Sequence, residues 1–402
     1  MPVARLFLLL LALWSAGAAA QAQGVPEWRP PVFAVPAGAV RLEARGVRPD
    51  TGADVAEAIN AVLHTLRPGQ TLLLQAGTYR LSKPVLLPSG VSLQGPQDAQ
   101  ARPMATLEQD HVFGKVGLLS MGTVMNANWL SSTGRDRGIH VRAIRIRHET
   151  MGVLLRRADD VSVEGCAFEG GMDATAMLGA RRTRVAHNLS HGTRNAAWDH
   201  WFGTEDAVVE DNIAFLANGH GILFNAVDTG NAPATSRGFT ARRNIVRGLG
   251  ANGVGIWVSP LGRGGGRIAG TITLEDNDIA APQPGARTAG ILVRAGDAEL
   301  VVVRHNRVAG MRGYPALAVG PYQASEGGED RLPARVVVEG NDLQDNHVSR
   351  SGGVVRAAGV AVEVRGNRLA GNGFEGGKPA PALTLCRRST PAQEPVVTGC
   401  AD

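Results

Sequence analysis

Large side chains are scarce in this chain of 402 residues, in which aromatics make up only 4%. That argues against a thick globular core, which aromatic side chains dominate energetically. Lysine is confined to positions 83, 115 and 378, so nearly all positive charge is arginine. Cys166, Cys386 and Cys400 are too few for a disulfide framework. Cys386 and Cys400 are close enough in sequence to staple a C-terminal tail in an oxidising compartment, whereas Cys166 falls inside a repeat and reads as a buried thiol. Beyond the N-terminus no apolar run reaches the roughly 20 residues of a membrane-spanning helix. No helix-turn-helix, finger or RNA-binding signature is present, so nucleic acid is not an expected partner. Metal-ligand spacing such as His-x-x-x-His on a helix is also missing, and no metal site is assigned.

At the N-terminus, Arg5 is followed by the apolar run Leu6 to Trp14 and by small residues ending at Ala22. This is the pattern of a secretory signal peptide over residues 1–22, predicting a secreted or periplasmic mature protein that does not span the membrane and acts as a monomer. The formal charge of +5 becomes +4 without Arg5. An arginine surplus suits an acidic polymer, because guanidinium groups bind carboxylates in bidentate fashion. It equally suits a genome biased toward arginine codons.

Glycine, at 52 residues, is abundant, and from residue 160 onward the chain repeats itself. The units are Val-Ser-Val-Glu-Gly-Cys166, Thr-Arg-Val-Ala-His-Asn188, Val-Val-Glu-Asp-Asn212, Thr-Ala-Arg-Arg-Asn244, Thr-Leu-Glu-Asp-Asn277, Val-Val-Arg-His-Asn306, Val-Val-Glu-Gly-Asn341 and Glu-Val-Arg-Gly-Asn367. Successive asparagines are 22, 24, 32, 33, 29, 35 and 26 residues apart, so 22 to 24 is the minimal coil and the surplus is loop. Asn fits a recurring corner in which it takes the left-handed conformation and its amide bonds to the next rung. Between these units lie second strands that begin at Gly152, Gly221, Gly255 and Gly290. Alternation along them turns Ile222, Phe224, Ile256 and Val258 inward, and turns Trp201 and Trp257, together with Arg156, Asn225, Ser259 and Arg294, outward.

Val55, Ile59, Val62 and Leu66 recur at helical spacing in 54–66, ahead of Pro68-Gly69 and the strand ending Ala-Gly77-Thr-Tyr79. This opening resembles the pectate-lyase-like superfamily. The resemblance implies an all-β chain, a single-stranded right-handed parallel β-helix with an N-terminal capping helix. In domain terms, residues 23–402 form one unit, with an N-terminal cap at about 40–70, coils at about 71–372 and a C-terminal cap at about 373–402. Relatives of this fold lay substrate along the first strand of each coil, which here is the strand holding Gly152, Asp173, Asp199, Gly221, Gly255 and Gly290. The loops Ala226–Gly238 and Pro260–Gly270 then wall the groove.

Three successive coils place Asp173, then Asp199 and His200, then His220 at the entrance to that strand. Coils stack about 4.8 Å apart, so two carboxyls and two imidazoles can converge into proton-transfer chemistry. The pattern is similar to that of polygalacturonases at Gly219-His220-Gly221. It departs at His200, where a second Asp is expected, in the missing Asn-Thr-Asp before Asp173, and in the missing Lys after Arg267-Ile268. As a hydrolase, the chain would use Asp173 and Asp199 as acid and base. As a uronate lyase it would use His200 or His220 as base, with Asn225, Arg237 or Arg263 holding the carboxylate. A calcium-dependent version would draw on Asp173, Asp199, Glu205 and Asp206. Trp201, Asn225, Arg237, Trp257, Arg263 and Arg294 are the substrate-binding candidates. The expected partner is a polysaccharide, uronate-containing if the arginines serve it. A C5-epimerase and a non-catalytic glycan-binding or envelope-associated protein stand as the alternatives.

Overall fold

The computed structural model describes residues 26–116, 119–216, 218–227, 234–261, 266–281, 287–320, 331–348, 354–374 and 384–388, with backbone alone at 115–116, 119–120, 261 and 384–388. The expected signal peptide and the Cys386–Cys400 staple therefore lie outside the described side chains. Within that span, period-2 strands stack into three long parallel sheets. Sheet I is 13-stranded and runs from Val40–Arg41 to Ala361–Arg365. Sheet II, from Gly77–Leu81 to Arg368–Ala370, and sheet III, from Val85–Leu87 to Thr384–Arg388, have 11 strands each. One coil is Met151–Arg156 in sheet III, Ala158–Glu164 in sheet I and Ala167–Gly170 in sheet II, after which Asp173–Leu178 re-enters sheet III. Among the described residues no helix is long and apolar enough to cross a membrane.

A narrow core runs the length of the stack. Its widest side chains are Trp198, edge-on to Phe168 with centroids 5.9 Å apart, and Phe224, stacked on Phe239 at 4.5 Å. Burying each such ring is worth about 1.5–3 kcal/mol. Sheet III strands open on glycine because that position faces the side chains of sheet II. A Cβ at Gly255 would stand 2.4 Å from Ile279 Cγ2.

The asparagine corner joins sheet I to sheet II as a continuous ladder. Asn188 N and Nδ2 donate to Asn212 Oδ1, Asn212 does the same to Asn244, and the pattern continues through Asn277, Asn306, Asn341 and Asn367. The left-handed residue is not the asparagine, as the sequence suggested, but the one before it: His187, Asp211, Arg243, Asp276, His305, Gly340 and Gly366 all have positive φ. The turn is made one residue early so that the amide can point inward along the stack. A short second ladder, Met311 to Asn346 to Asn372, was not anticipated.

Beside the ladder, from Asn212 onward, the residue two before each asparagine carries a charge that alternates from coil to coil: Glu210, Arg242, Glu275, Arg304, Glu339 and Arg365 stand in register. Arg242–Glu210 at 2.6 Å and Arg365–Glu339 at 2.9 Å are examples. Opposite charges directly across parallel strands stabilise each pairing by a few tenths to about 1 kcal/mol. This row occupies three of the arginines.

The N-terminal helix, Ala56–His64, is shorter than the pattern implied and starts where Asp54 Oδ1 accepts the Ala56 N–H at 3.0 Å. Ile59 is fully buried, while Val55, Val62 and Leu66 are only partly covered. Asn60 closes the edge of sheet III, accepting from Leu86 N at 2.8 Å and donating to Pro84 O at 2.9 Å. Residues 26–36 lie outside the expected cap and reach along the stack, with Trp28 Nε1 donating to His187 O at 2.9 Å. At the other end, the expected C-terminal cap contributes two further strands, Gly373–Phe374 and Thr384–Arg388.

Candidate functional site

Sheet III strands enter with two consecutive inward residues, such as Gly221 and Ile222, and alternate from there. Three rows therefore face outward. The first is Met151, Asp173, Ala196 and His220 in direct register. The second is Ala176, Asp199, Leu223, Trp257 and Leu292. The third includes Leu178, Trp201, Asn225 and Ser259. The inward row between them is Met177, His200, Phe224 and Val258.

Asp173 and Asp199 share the outer face, each 1% exposed. Asp173 Oδ1 accepts from Asn195 Nδ2 at 2.7 Å and from Ala196 N at 2.9 Å. Burial nonetheless raises its pKa to about 7, against those two bonds. Asp199 is pushed further up, by burial first and then by the Asp173 charge, with the His200 backbone and the Trp201 indole acting the other way. Geometrically that indole N–H falls short of a hydrogen bond, and Asp199 Oδ1 has no partner. The two protons leave in steps that belong to the pair. Ionising one carboxyl therefore holds the proton more firmly on the other.

The histidines take different places. His200 is a correction: the structure turns its ring into the core, 6.1 Å from Phe239 and 6.4 Å from Phe224, where burial lowers its pKa to about 3 and neither ring nitrogen has a hydrogen-bond partner. It follows Asp199 by one residue and so faces the other side. His220 does stand on the outer face, its ring 5.2 Å from that of Trp257. Its Nδ1 accepts the Val254 N–H at 3.1 Å, and burial lowers its pKa to about 4. The proton of this neutral imidazole is thus on Nε2, which presents a donor rather than a base.

Comparison with solved structures fits the stack. An α-1,3-glucanase of Streptomyces thermodiastaticus matches with a TM-score of 0.58 at 18% identity, over 91% of this chain and 73% of that one. A family 28 exopolygalacturonase of Yersinia enterocolitica matches at TM-score 0.55 and 11% identity, over 89% and 79%. A surface protein and adhesin of Streptococcus pneumoniae matches at 0.54 and 12%, over 87% and 100%. The chain has the pectate-lyase-like right-handed parallel β-helix fold. No family model and no curated protein matches it in sequence.

On this β-helix, the remaining expected residues separate. Trp201 and Trp257 face outward as expected, half-buried, with both indole N–H groups unpartnered. Asn225 and Ser259 share that face but are fully buried rather than exposed. Arg294 follows the strand Ala289–Val293, its backbone N–H donating to Val258 O at 2.7 Å. Arg237 is a correction: it lies on sheet I opposite Glu205, not on the groove. Arg263 is outside the described residues. The two expected wall loops are in large part strand, pairing Ala226 with Pro260 and Arg237 with Ala269. The calcium set does not assemble either: Glu205 is on sheet I, bonded to Arg181 at 3.1 Å, with Asp206 beside it. A calcium ion takes six to eight oxygens, and among the described residues no group of three or more His, Cys, Asp or Glu could hold a metal. Cys166 sits at the foot of the ladder, where burial pushes its thiol up to about 12 and excludes a nucleophile.

Two aromatic borders stand outside the expected substrate-binding set. Trp129 joins Leu154, Leu178 and Trp201 in an outer-face cluster on the N-terminal side, while Tyr314 packs with Trp257 and Leu292 on the other. Both come from irregular segments that carry no period.

The raised Asp173 pKa has a direct consequence for stability. Between the unfolded value near 4 and the folded value of about 7, the native state holds a proton that the unfolded chain has lost. Stability from this group is thus complete at acid pH and disappears as pH rises through 7, a swing of roughly 4 kcal/mol. The neutral buried His148, His200 and His220 act oppositely, losing stability as pH falls from about 6.5. Asp173→Asn keeps an acceptor for Asn195 and Ala196 and mimics the protonated acid. Urea unfolding of this variant should decline less steeply with pH between 4 and 7 than wild type, the part that remains being that of buried Asp199; a profile parallel to wild type would refute the assignment.

Proposed function

We propose that this protein is a glycan-acting enzyme that hydrolyses a glycosidic bond outside the cytoplasm, with Asp199 as general acid and Asp173 as general base. The observation that carries this is the buried carboxyl pair on the outer face of sheet III, whose proton affinities are raised so that one member is an acid and the other a base near neutral pH. Hydrolysis is favoured over β-elimination or C5 epimerisation because the patch supplies the acid and base carboxyl pair that hydrolysis uses, whereas the histidines expected as C5 base do not serve: His200 is in the core and His220 presents Nε2–H. Asp199 stands three residues along the strand and one coil across from Asp173, a backbone offset of roughly 10 Å by about 4.8 Å. This lies nearer the about 6.5–9.5 Å of inverting glycosidases than the about 5–5.5 Å of retaining ones.

The test is incubation of the mature protein with neutral and acidic polysaccharides, with and without calcium, following reducing ends and absorbance at 235 nm. New reducing ends without absorbance are expected. Absorbance at 235 nm would mean elimination and overturn the carboxyl-pair mechanism. A second reading is favoured by the two hydrogen bonds that already occupy Asp173 Oδ1: a glycan-binding surface protein, in which the patch serves recognition alone. It predicts that glycan is retained by the protein and recovered uncut.

A further inference from the structure

Resting on the reading of sheet III as a glycan site, we infer that its central subsite takes a neutral sugar unit rather than a uronate. Asn225 is fully buried on the outer face, between Trp201 of the coil beneath and Ser259 of the coil above, and neither its Nδ2 nor its Oδ1 has a hydrogen-bond partner. Buried amides are almost always bonded. One left empty within protein points to a bonding partner that arrives from outside.

Unsatisfied atoms on the same face are Trp201 Nε1, Trp257 Nε1 and Asp199 Oδ1. The set therefore offers three donor groups, the two indoles and the Asn225 amide nitrogen, and two acceptors, Asn225 Oδ1 and Asp199 Oδ1. Hydroxyl groups, which donate and accept, complete such a set. A uronate carboxylate set against Asn225 itself only accepts and leaves Asn225 Oδ1 unpaired.

Charge points the same way. A uronate needs a cation, and a further anion would lie near the Asp173 carboxylate. Arg156, at the N-terminal border, is tied to Trp129 O at 2.7 Å, and Arg237 is on sheet I. On sheet I, Arg184, Arg242, Arg304 and Arg365 are engaged with Glu of their own ladder. These arginines serve the stack and not an acidic substrate.

The experiment is calorimetric titration of the full mature chain as Asp199→Asn, which keeps ligand from being consumed, with neutral gluco-, manno- and xylo-oligosaccharides and with oligogalacturonate and oligoalginate. It is repeated with Asn225→Leu added. Binding of a neutral oligosaccharide, weakened at least about tenfold by Asn225→Leu, is expected, tenfold being the signature of one lost polar contact. Because the free amide is unbonded, Asn225→Leu should also raise the Tm of the ligand-free protein by about 2–4 °C. An asparagine with a merely structural role would lower it. Tighter binding of the uronates, no binding of any neutral probe, or a lowered Tm overturns the inference. Neutral glycan bound but never cut by the wild-type chain would instead overturn the hydrolytic reading and leave this one standing, and cleavage of a uronate polymer would do the reverse.

Discussion

Replacing Asp199 by Asn lowers kcat on the cleaved glycan by about 10²–10⁴-fold, the range expected when a positioned proton donor is removed. Folding should survive, because the substitution is nearly isosteric and removes a group whose ionised form is costly at 1% exposure. Circular dichroism and urea midpoints check the fold, and reducing-end assays give kcat. Loss should fall on kcat more than KM, since the proton is needed in the transition state while the sugar contacts remain. Retention of activity within a small factor of wild type would remove Asp199 from the chemistry.

The same pair dictates a pH profile. Activity requires Asp173 ionised and Asp199 protonated, so it rises as pH climbs through about 7 and falls when the second, higher proton leaves. In Asp173→Asn the rising limb disappears together with the activity. The sugar product should carry the inverted anomeric configuration, which proton NMR reads during the first turnovers.

Much of this was readable from the chain because a β-helix writes its geometry as spacing. The 22- and 24-residue intervals to Asn188 and Asn212 give the coil, and alternation along 196–201 places Asp199 and Trp201 on one face. The same alternation should have removed His200, which cannot share a face with the residue before it. Reading Asp199-His200 as a pair followed a motif against the period. The Glu210, Arg242, Glu275, Arg304, Glu339, Arg365 alternation was equally visible, always two residues before an asparagine, and gives three of the arginines a role without an acidic substrate. Burial of Asn225 was not readable. Period gives the face a side chain takes, whereas the cover comes from elsewhere in the stack. Trp129 and Tyr314, which border the patch, belong to no repeat.

Asn244→Ala should cost about 3–5 kcal/mol, a large part of the roughly 5–15 kcal/mol that holds a typical domain. Asn244 Oδ1 accepts from Asn212 N at 3.2 Å and from Asn212 Nδ2 at 2.9 Å, and its own Nδ2 donates to Val209 O at 2.8 Å and to Asn277 Oδ1 at 2.9 Å. Alanine orphans two donors and removes a donor from two acceptors, all at a buried corner where water does not replace them, and each such group costs about 1–3 kcal/mol. Asn244→Asp is no remedy. It keeps the acceptor side of the rung but sets oxygen against Val209 O and Asn277 Oδ1, and its ionised form has no partner for its charge there, so its penalty should grow with pH. The terminal rung supplies the internal control. Asn367 is the last of the series and partly exposed, so water can take over when Asn367→Ala removes its amide, and the loss should be well under half that at Asn244. Urea unfolding of the two variants separates the possibilities: a steep difference between rungs means that the buried ladder carries the stability of the corner, whereas equal small losses would mean that strand pairing alone holds the coils in place.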